Sequence, residues 1–211
     1  IPSSSMEPTL LVGDRLFVSK YTYGYSNHSM PFSPKIFNKR ILSKIPKRGD
    51  VVVFKTPADN RTDYIKRLIG LPGDQIKISN YDLYINGEKV KKIKNNKNVK
   101  INCGNQILDI NLFEETLPNE KVYAAAYRKK GSMQNTDVFV VPEDHYFFMG
   151  DNRDCSKDSR YLSSVGYVNF NNFVGRAELI FFSNDKNQGS FLKFWKWHKS
   201  LRINRFFKRI N

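Results

Sequence analysis

Three hydroxyl side chains in a row, Ser3, Ser4 and Ser5, stand between Pro2 and Pro8 at the start of the 211-residue chain. A serine run is usually a polar loop, because short hydroxyl side chains favour turns and caps. It becomes reactive only when a base removes a hydroxyl proton, since serine is otherwise a poor nucleophile. His145 is the first base to test. However, Asp144 is its direct neighbour in a strand-like stretch and points to the opposite face, so it does not orient the ring. His28 and His198 stand alone in the sequence. Lysine is the other base, and it works only when neutral. Its reference pKa of about 10.4 must fall by about three units, at roughly 4 kcal/mol, and burial among apolar groups supplies that shift. Lys66 has such a setting, flanked by Tyr64, Ile65, Leu68 and Ile69. On a strand it shares a face with Tyr64, and Ile65 points the other way. The bland reading of Lys66 is an edge-strand lysine that guards against aggregation.

A second polar cluster, GDNRDCSKDSRYLSSVG, runs from Gly150 to Gly166. Its short side chains suit a structured turn. Ser156 is placed to hydrogen-bond an amine, and Asp158 with Arg160 to form a bracing ion pair. Metal chemistry finds no support: Cys103 and Cys155 lie about fifty residues apart, with no CxxC and no cysteine–histidine cluster. One long-range disulfide and two free thiols both fit that spacing.

The elements that must position these groups read as strands and turns. DRLFVSKYTYG is rich in aromatic and β-branched residues, and RGDVVVFKTP is a short apolar run between turn signals. Two strand-like pieces flank Pro72-Gly73, a type II turn pair. YDLYINGEKV is a hairpin about Asn86-Gly87. KKIKNNKNVK, residues 91 to 100, reads as an exposed loop or irregular edge. TDVFVVPEDHYFFM and GRAELIFFS return to strand character. The fold class is therefore all-β and mainly antiparallel, with a lysine-rich portion inserted between about Asn80 and Pro142. The expected division is 1–79 with 143–190 as a β core, 80–142 as a variable insert, and 191–211 as a basic aromatic tail.

The net charge is +15, from 35 Lys and Arg against 20 Asp and Glu. Such an excess attracts nucleic acid or an anionic membrane surface, or simply solubilises the chain. The tail mixes Phe and Trp with Lys and Arg, as an interfacial segment does; a basic helix packed on the body by its aromatic face fits equally. No apolar run is long enough to span a bilayer, and the start of the sequence on a motif-like stretch, with Ile rather than Met, leads us to expect a further N-terminal anchor.

Taken in order, five stretches resemble the type I signal peptidases: PSSSMEPTL, GDRLFVSKYTYG, RGDVVVFK, YIKRLIGLPGD and GDNRDCSKDSR. They cover some fifty residues between positions 2 and 160. The resemblance implies a barrel-like β-rich catalytic core with a smaller inserted β domain. It makes Ser5, directly before Met6, the nucleophile and Lys66 its general base. Ser3 takes the place of the hydroxyl that helps bind the oxyanion, together with the Ser5 N–H. Ser4 falls where many members carry glycine and has no assigned task. Ser156 becomes the lysine-orienting hydroxyl, with Asp158 and Arg160 in support, and Cys155 is read as filling space. Ile1, Met6, Leu10, Tyr64 and Ile65 line one small substrate pocket, with Val53 and Ile65 near a second.

The implied reaction is endopeptidase cleavage of signal peptides after small residues, through an acyl-enzyme, without metal or cofactor. The implied partners are exported preproteins and an anionic membrane, at the outer, periplasmic face of the bacterial cytoplasmic membrane. No nucleic acid and no obligate oligomer are expected. Two rivals are a self-cleaving, repressor-like serine–lysine protease, which needs a DNA-binding domain, and a basic β-barrel that stacks nucleic-acid bases on Tyr and Phe.

Overall fold

The computed structural model describes residues 1–25, 40–104, 106–128, 133–185 and 200–210. Among the described residues fourteen strands follow one another: β1 (Asp14–Ser19), β2 (Val51–Lys55), β3 (Asp63–Gly70), β4 (Gln75–Ser79), β5 (Asp82–Ile85), β6 (Glu88–Lys89), β7 (Lys91–Cys103), β8 (Gln106–Thr116), β9 (Val122–Arg128), β10 (Phe139–Val140), β11 (His145–Met149), β12 (Val168–Asn169), β13 (Phe173–Ser183) and β14 (Lys208–Arg209). The protein is all-β, and the ladders between these strands are antiparallel.

The largest sheet has the order β1-β13-β2-β3-β11-β12, with β14 also on β13. β3 is thus an internal strand, which rules out the edge-strand reading of Lys66. Its register against β2 sets Val52 opposite Lys66, Val53 opposite Ile65 and Phe54 opposite Tyr64. Val52, Phe54 and Leu68 pack with Phe148 and Phe173 in one apolar cluster. Each such fully buried side chain contributes about 1.5–3 kcal/mol. The environment of Lys66 is therefore fixed by the best-packed part of the sheet.

A second sheet has the order β10-β4-β5-β6, so strand pairing runs across residue 80. Its hairpin turns at Asn86 (φ +54°) and Gly87 (φ +82°), the two left-handed positions that a two-residue turn of this kind demands. The third sheet is β7-β8-β9. Of the two readings of residues 91–100, loop or irregular edge, the second holds: they belong to a thirteen-residue strand at that sheet's edge, with a register shift between Asn95 and Asn98. Lys and Asn have weak strand propensity, but β8 offers partners that override it. Val99 faces Ile110 and Ile101 faces Leu108, and Ile101, Ile110 and Ala126 are buried together.

One apolar cluster joins all three sheets: Ile69, Phe147 and Met149 of the largest, Ile76, Ile78, Leu83 and Ile85 of the second, and Tyr123 and Ala125 of the third. A disulfide adds a covalent tie. Cys103, at the end of β7, is bonded to Cys155 with the Cα atoms 5.7 Å apart. Cys155 is therefore a cross-link and not a space filler. The β7–β8 hairpin brings its end to the loop after β11, a long-range approach that sequence spacing does not disclose.

The described part of the tail lies on the body. Residues 203–205 form a short 3-10 turn, β14 pairs with Leu179 and Ile180 of β13, and Phe206 meets Phe182 at 5.3 Å between ring centres. The packed reading holds for these residues, as a 3-10 turn and a short strand. The Phe191–His198 stretch lies outside the described residues, as does His28. Among the described residues no helix is long and apolar enough to cross a membrane.

Candidate active site

The segment that holds Ser3, Ser4 and Ser5 is a tight run of turns ahead of β1. Glu7 N–H donates to the Ser4 carbonyl (3.0 Å) and Leu10 N–H to that of Met6 (2.9 Å). Met6 and Leu10 are 0% exposed and anchor these turns in a cluster with Val51, Ala177 and Ile180. Asn152, in the loop after β11, grips the serines from the other side. Its backbone N–H donates to the Ser5 carbonyl (3.1 Å) and its side-chain amide to that of Ser4 (3.2 Å). Ser4 thus acquires a structural task. Gly150 is obligatory here, since a Cβ would overlap Ser156 Oγ and the Ser5 carbonyl oxygen.

Lys66 reaches this turn from β3 and is 4% exposed. Its Nζ donates to Ser5 Oγ at 2.7 Å and to the Ile65 carbonyl at 2.9 Å, and it lies 5.2 Å from the centre of the Tyr64 ring. Burial lowers its pKa to about 8, with Asp158 and Asp151 pulling it back up and Arg160 pressing it down. Ser3 Oγ is 3.3 Å from Ser5 Oγ. His145 stands apart from this centre, its Nδ1 at 2.7 Å from the Glu143 carbonyl.

Two buried ion pairs frame the lysine. Arg67, next to it on β3, donates from Nε and Nη2 to the two Asp151 oxygens, both at 2.8 Å, and from Nη1 to the Gly49 carbonyl at 2.8 Å. Thr9 Oγ1 donates to the same Asp151 at 2.5 Å, which pins the nucleophile segment to β3. Arg160 holds Asp158 through Nε and Nη2, both at 2.8 Å, and Asp158 accepts the Gly150 N–H at 2.9 Å. Burial pushes the Asp158 carboxyl up, but the Arg160 guanidinium, with help from the Gly150 N–H and Ser156, keeps the group below the usual carboxylate range. Each carboxylate is thus matched by its own arginine, and neither makes an ion pair with Lys66.

The structure brings together Ser5, Lys66, Ser3, Asp158 and Arg160. Ser156 is buried beside Asp158, whose carboxyl it helps hold down, and Lys66 bonds Ser5 Oγ and the Ile65 carbonyl instead. The substrate-pocket candidates divide. Ile1 and Ile65 pack with Met6 and Leu10, and Val53 stands opposite Ile65. Tyr64 belongs to the other face, against Phe54 at 6.3 Å between rings. Met6 and Leu10, being wholly covered, form the core beneath the site. Reading from sequence missed Asn152, Arg67, Asp151 and Thr9. All four lie inside the stretches that carried the resemblance, and an arginine followed by Leu68 and Ile69 was itself a signal for a buried ion pair.

No cluster of three or more His, Cys, Asp or Glu among the described residues is arranged to hold a metal ion. The model of the family described as "Signal peptidase, peptidase S26" matches residues 1–182. The chain belongs to that family. Signal peptidase I of Rickettsia bellii (strain OSU 85-389) is 41% identical over an alignment of 227 positions, spanning 100% of this chain and 76% of the relative. Signal peptidase I of Rickettsia conorii is also 41% identical, with 83% of the relative covered. A signal peptidase I of Enterococcus faecalis V583, known from a crystal structure, aligns over 63% of this chain and 97% of its own, with 28% identity and a TM-score of 0.38. Family membership makes the protein a serine endopeptidase acting on the signal peptides of preproteins. The C-terminal residues after 182 lie beyond the matched family model.

Proposed function

We propose that Ser5 and Lys66 form the catalytic dyad of this signal peptidase and cleave preproteins after small residues of A-x-A type. The observation that carries the reading is the 2.7 Å contact between Lys66 Nζ and Ser5 Oγ in a buried, carboxylate-free approach. In the charged resting form the ammonium donates to the hydroxyl. Once neutral, the amine accepts the Ser5 proton as Oγ bonds to the substrate carbonyl carbon. The resulting oxyanion is held by the Ser5 N–H and the Ser3 hydroxyl, donors of a kind worth about 10²–10³ in rate each. Collapse breaks the C–N bond, and Lys66 passes its proton to the departing amine. Lys66 then removes a proton from water, which attacks the acyl-enzyme and frees Ser5.

The substrate enters as an extended strand along exposed sheet edges. Ile1, Ile65 and Val53 supply the small apolar walls and Met6 and Leu10 the floor, while Tyr64, on the same face of β3 as Lys66, flanks the base with its ring. The enzyme acts on a bilayer-tethered substrate, with its catalytic part at the outer face of the cytoplasmic membrane, where a charge of +15 draws it to anionic headgroups. Replacing Trp195 and Trp197 together by Ser weakens binding to anionic vesicles; unchanged binding removes the tail from this account.

The test of the dyad is cleavage of a preprotein by Ser5→Ala and Lys66→Ala, with the cut mapped by mass spectrometry. Each variant keeps its fold, seen by circular dichroism, and loses at least 10³-fold in kcat, and the wild type cuts after a small residue. Appreciable turnover by either variant refutes the dyad.

A further inference from the structure

We infer that Arg205, in the C-terminal segment beyond the matched family model, is a positioning residue that holds the nucleophile segment in register with Lys66. The residue is 9% exposed, and its guanidinium carries three bonds into residues 9–14. Nε and Nη2 donate to the two oxygens of Asp14, at 3.1 and 2.6 Å, and Nη2 donates to the Thr9 carbonyl at 2.9 Å. Asp14 is wholly buried and also accepts the Leu11 N–H (2.8 Å) and the Ser183 hydroxyl (2.6 Å). One carboxylate thus gathers the turn after the nucleophile, β13 and the tail.

Thr9 is the node that makes this more than a surface clasp. Its carbonyl is taken by Arg205 and its hydroxyl by Asp151, and Asp151 is gripped by Arg67, the residue next to Lys66. The chain of bonds runs from the tail through Thr9 to the strand that carries the base. Ile210 supports it by packing on the Met6 and Leu10 cluster, with its N–H on the Glu178 carbonyl at 2.9 Å. A second tail arginine provides an internal comparison. Arg202 donates to the Val12 carbonyl at 2.9 Å and pairs with Asp185 at 3.0 Å, but makes no bond to Thr9 or Asp14. Both arginines fasten the tail, and Arg205 alone of the two reaches the Thr9 node.

Displacing a reacting group by about 1 Å costs up to roughly 10²-fold in rate, so loss of Arg205 acts on kcat more than on KM. The inference rests on the Ser5–Lys66 reading. The experiment compares Arg205→Gln, Arg205→Lys and Arg202→Gln in the full chain, with kcat and KM on a signal-peptide substrate measured well below each Tm. Arg205→Gln is expected to lower kcat about 10- to 100-fold with KM within about threefold. Arg205→Lys, which keeps one charged donor, recovers part of the loss. Arg202→Gln lowers Tm but leaves kcat within about twofold. Should Arg205→Gln fail to fold, the Asp14→Asn/Arg205→Gln pair removes the stranded carboxylate, and the same split is read from it. Equal kcat effects from Arg205 and Arg202, or an unchanged kcat in Arg205→Gln, overturn the inference. That outcome with inactive Ser5→Ala and Lys66→Ala removes only the positioning role, whereas an active Lys66→Ala removes the dyad beneath it.

Discussion

Two lysines on two sheets have opposite surroundings. Lys92, on β7 of the inserted hairpin, pairs with Asp82 at 3.2 Å and lies over the rings of Phe113 (4.7 Å) and Tyr127 (4.0 Å). Its ammonium therefore has an acid partner and two ring faces. Lys66, on β3, faces a hydroxyl and a carbonyl, and its nearby carboxylates are engaged by Arg67 and Arg160. Burial then prevails and the amine drops to about 8. The difference teaches that a lysine base needs more than a dry pocket. It also needs arginines that occupy the acids which would otherwise keep it charged.

That comparison can be broken at the arginine. Arg67→Ala strands the Asp151 carboxylate with no charged partner, and cutting one side of a buried pair costs about 3–5 kcal/mol. Urea denaturation checks this; a loss under about 1 kcal/mol removes the framing role of the pair.

The two lysines then separate in sign. Lys66→Met abolishes turnover but stabilises the fold at pH 7 by about 1–3 kcal/mol, because a buried charge is replaced by an apolar side chain of similar length. The sign follows from the lowered pKa. Between about 8 and the usual lysine value of 10.5, the unfolded chain holds a proton that the folded chain lacks. Wild-type stability from this group therefore rises with pH across that window, and the advantage of Lys66→Met shrinks over the same range. Lys92→Met goes the other way and is the smaller effect. It costs about 1 kcal/mol through the lost ion pair and ring contacts and leaves turnover within twofold. A destabilised Lys66→Met, measured by the same denaturation, contradicts the contrast.

Much of the fold was legible because its signals are local. The Asn86-Gly87 turn, the apolar run of β2 and the alternation that puts Lys66 with Tyr64 all depend on residues a few positions apart. The site residues were legible for a different reason: five short stretches in the right order resemble one family. What escaped was long-range. β7 is a strand because β8 pairs with it, not because Lys and Asn prefer strands. The Cys103–Cys155 bond depends on where a hairpin ends in space. The roles of Asn152, Thr9 and Asp151 exist only once the loop after β11 is folded against the first ten residues. The tail was legible only in part: its mixed rings and cations fitted lipid or packing on the body equally, and nothing in it announced that Arg205 is spent on Asp14 and Thr9.

The pH dependence of kcat/KM tests the central claim most directly. If Lys66 is the base and burial has lowered its pKa to about 8, activity on a signal-peptide substrate rises tenfold per pH unit below that value and levels off above it. A rise that continues to the ordinary lysine range near 10.5, or a limb near 6.5 as for histidine, contradicts it.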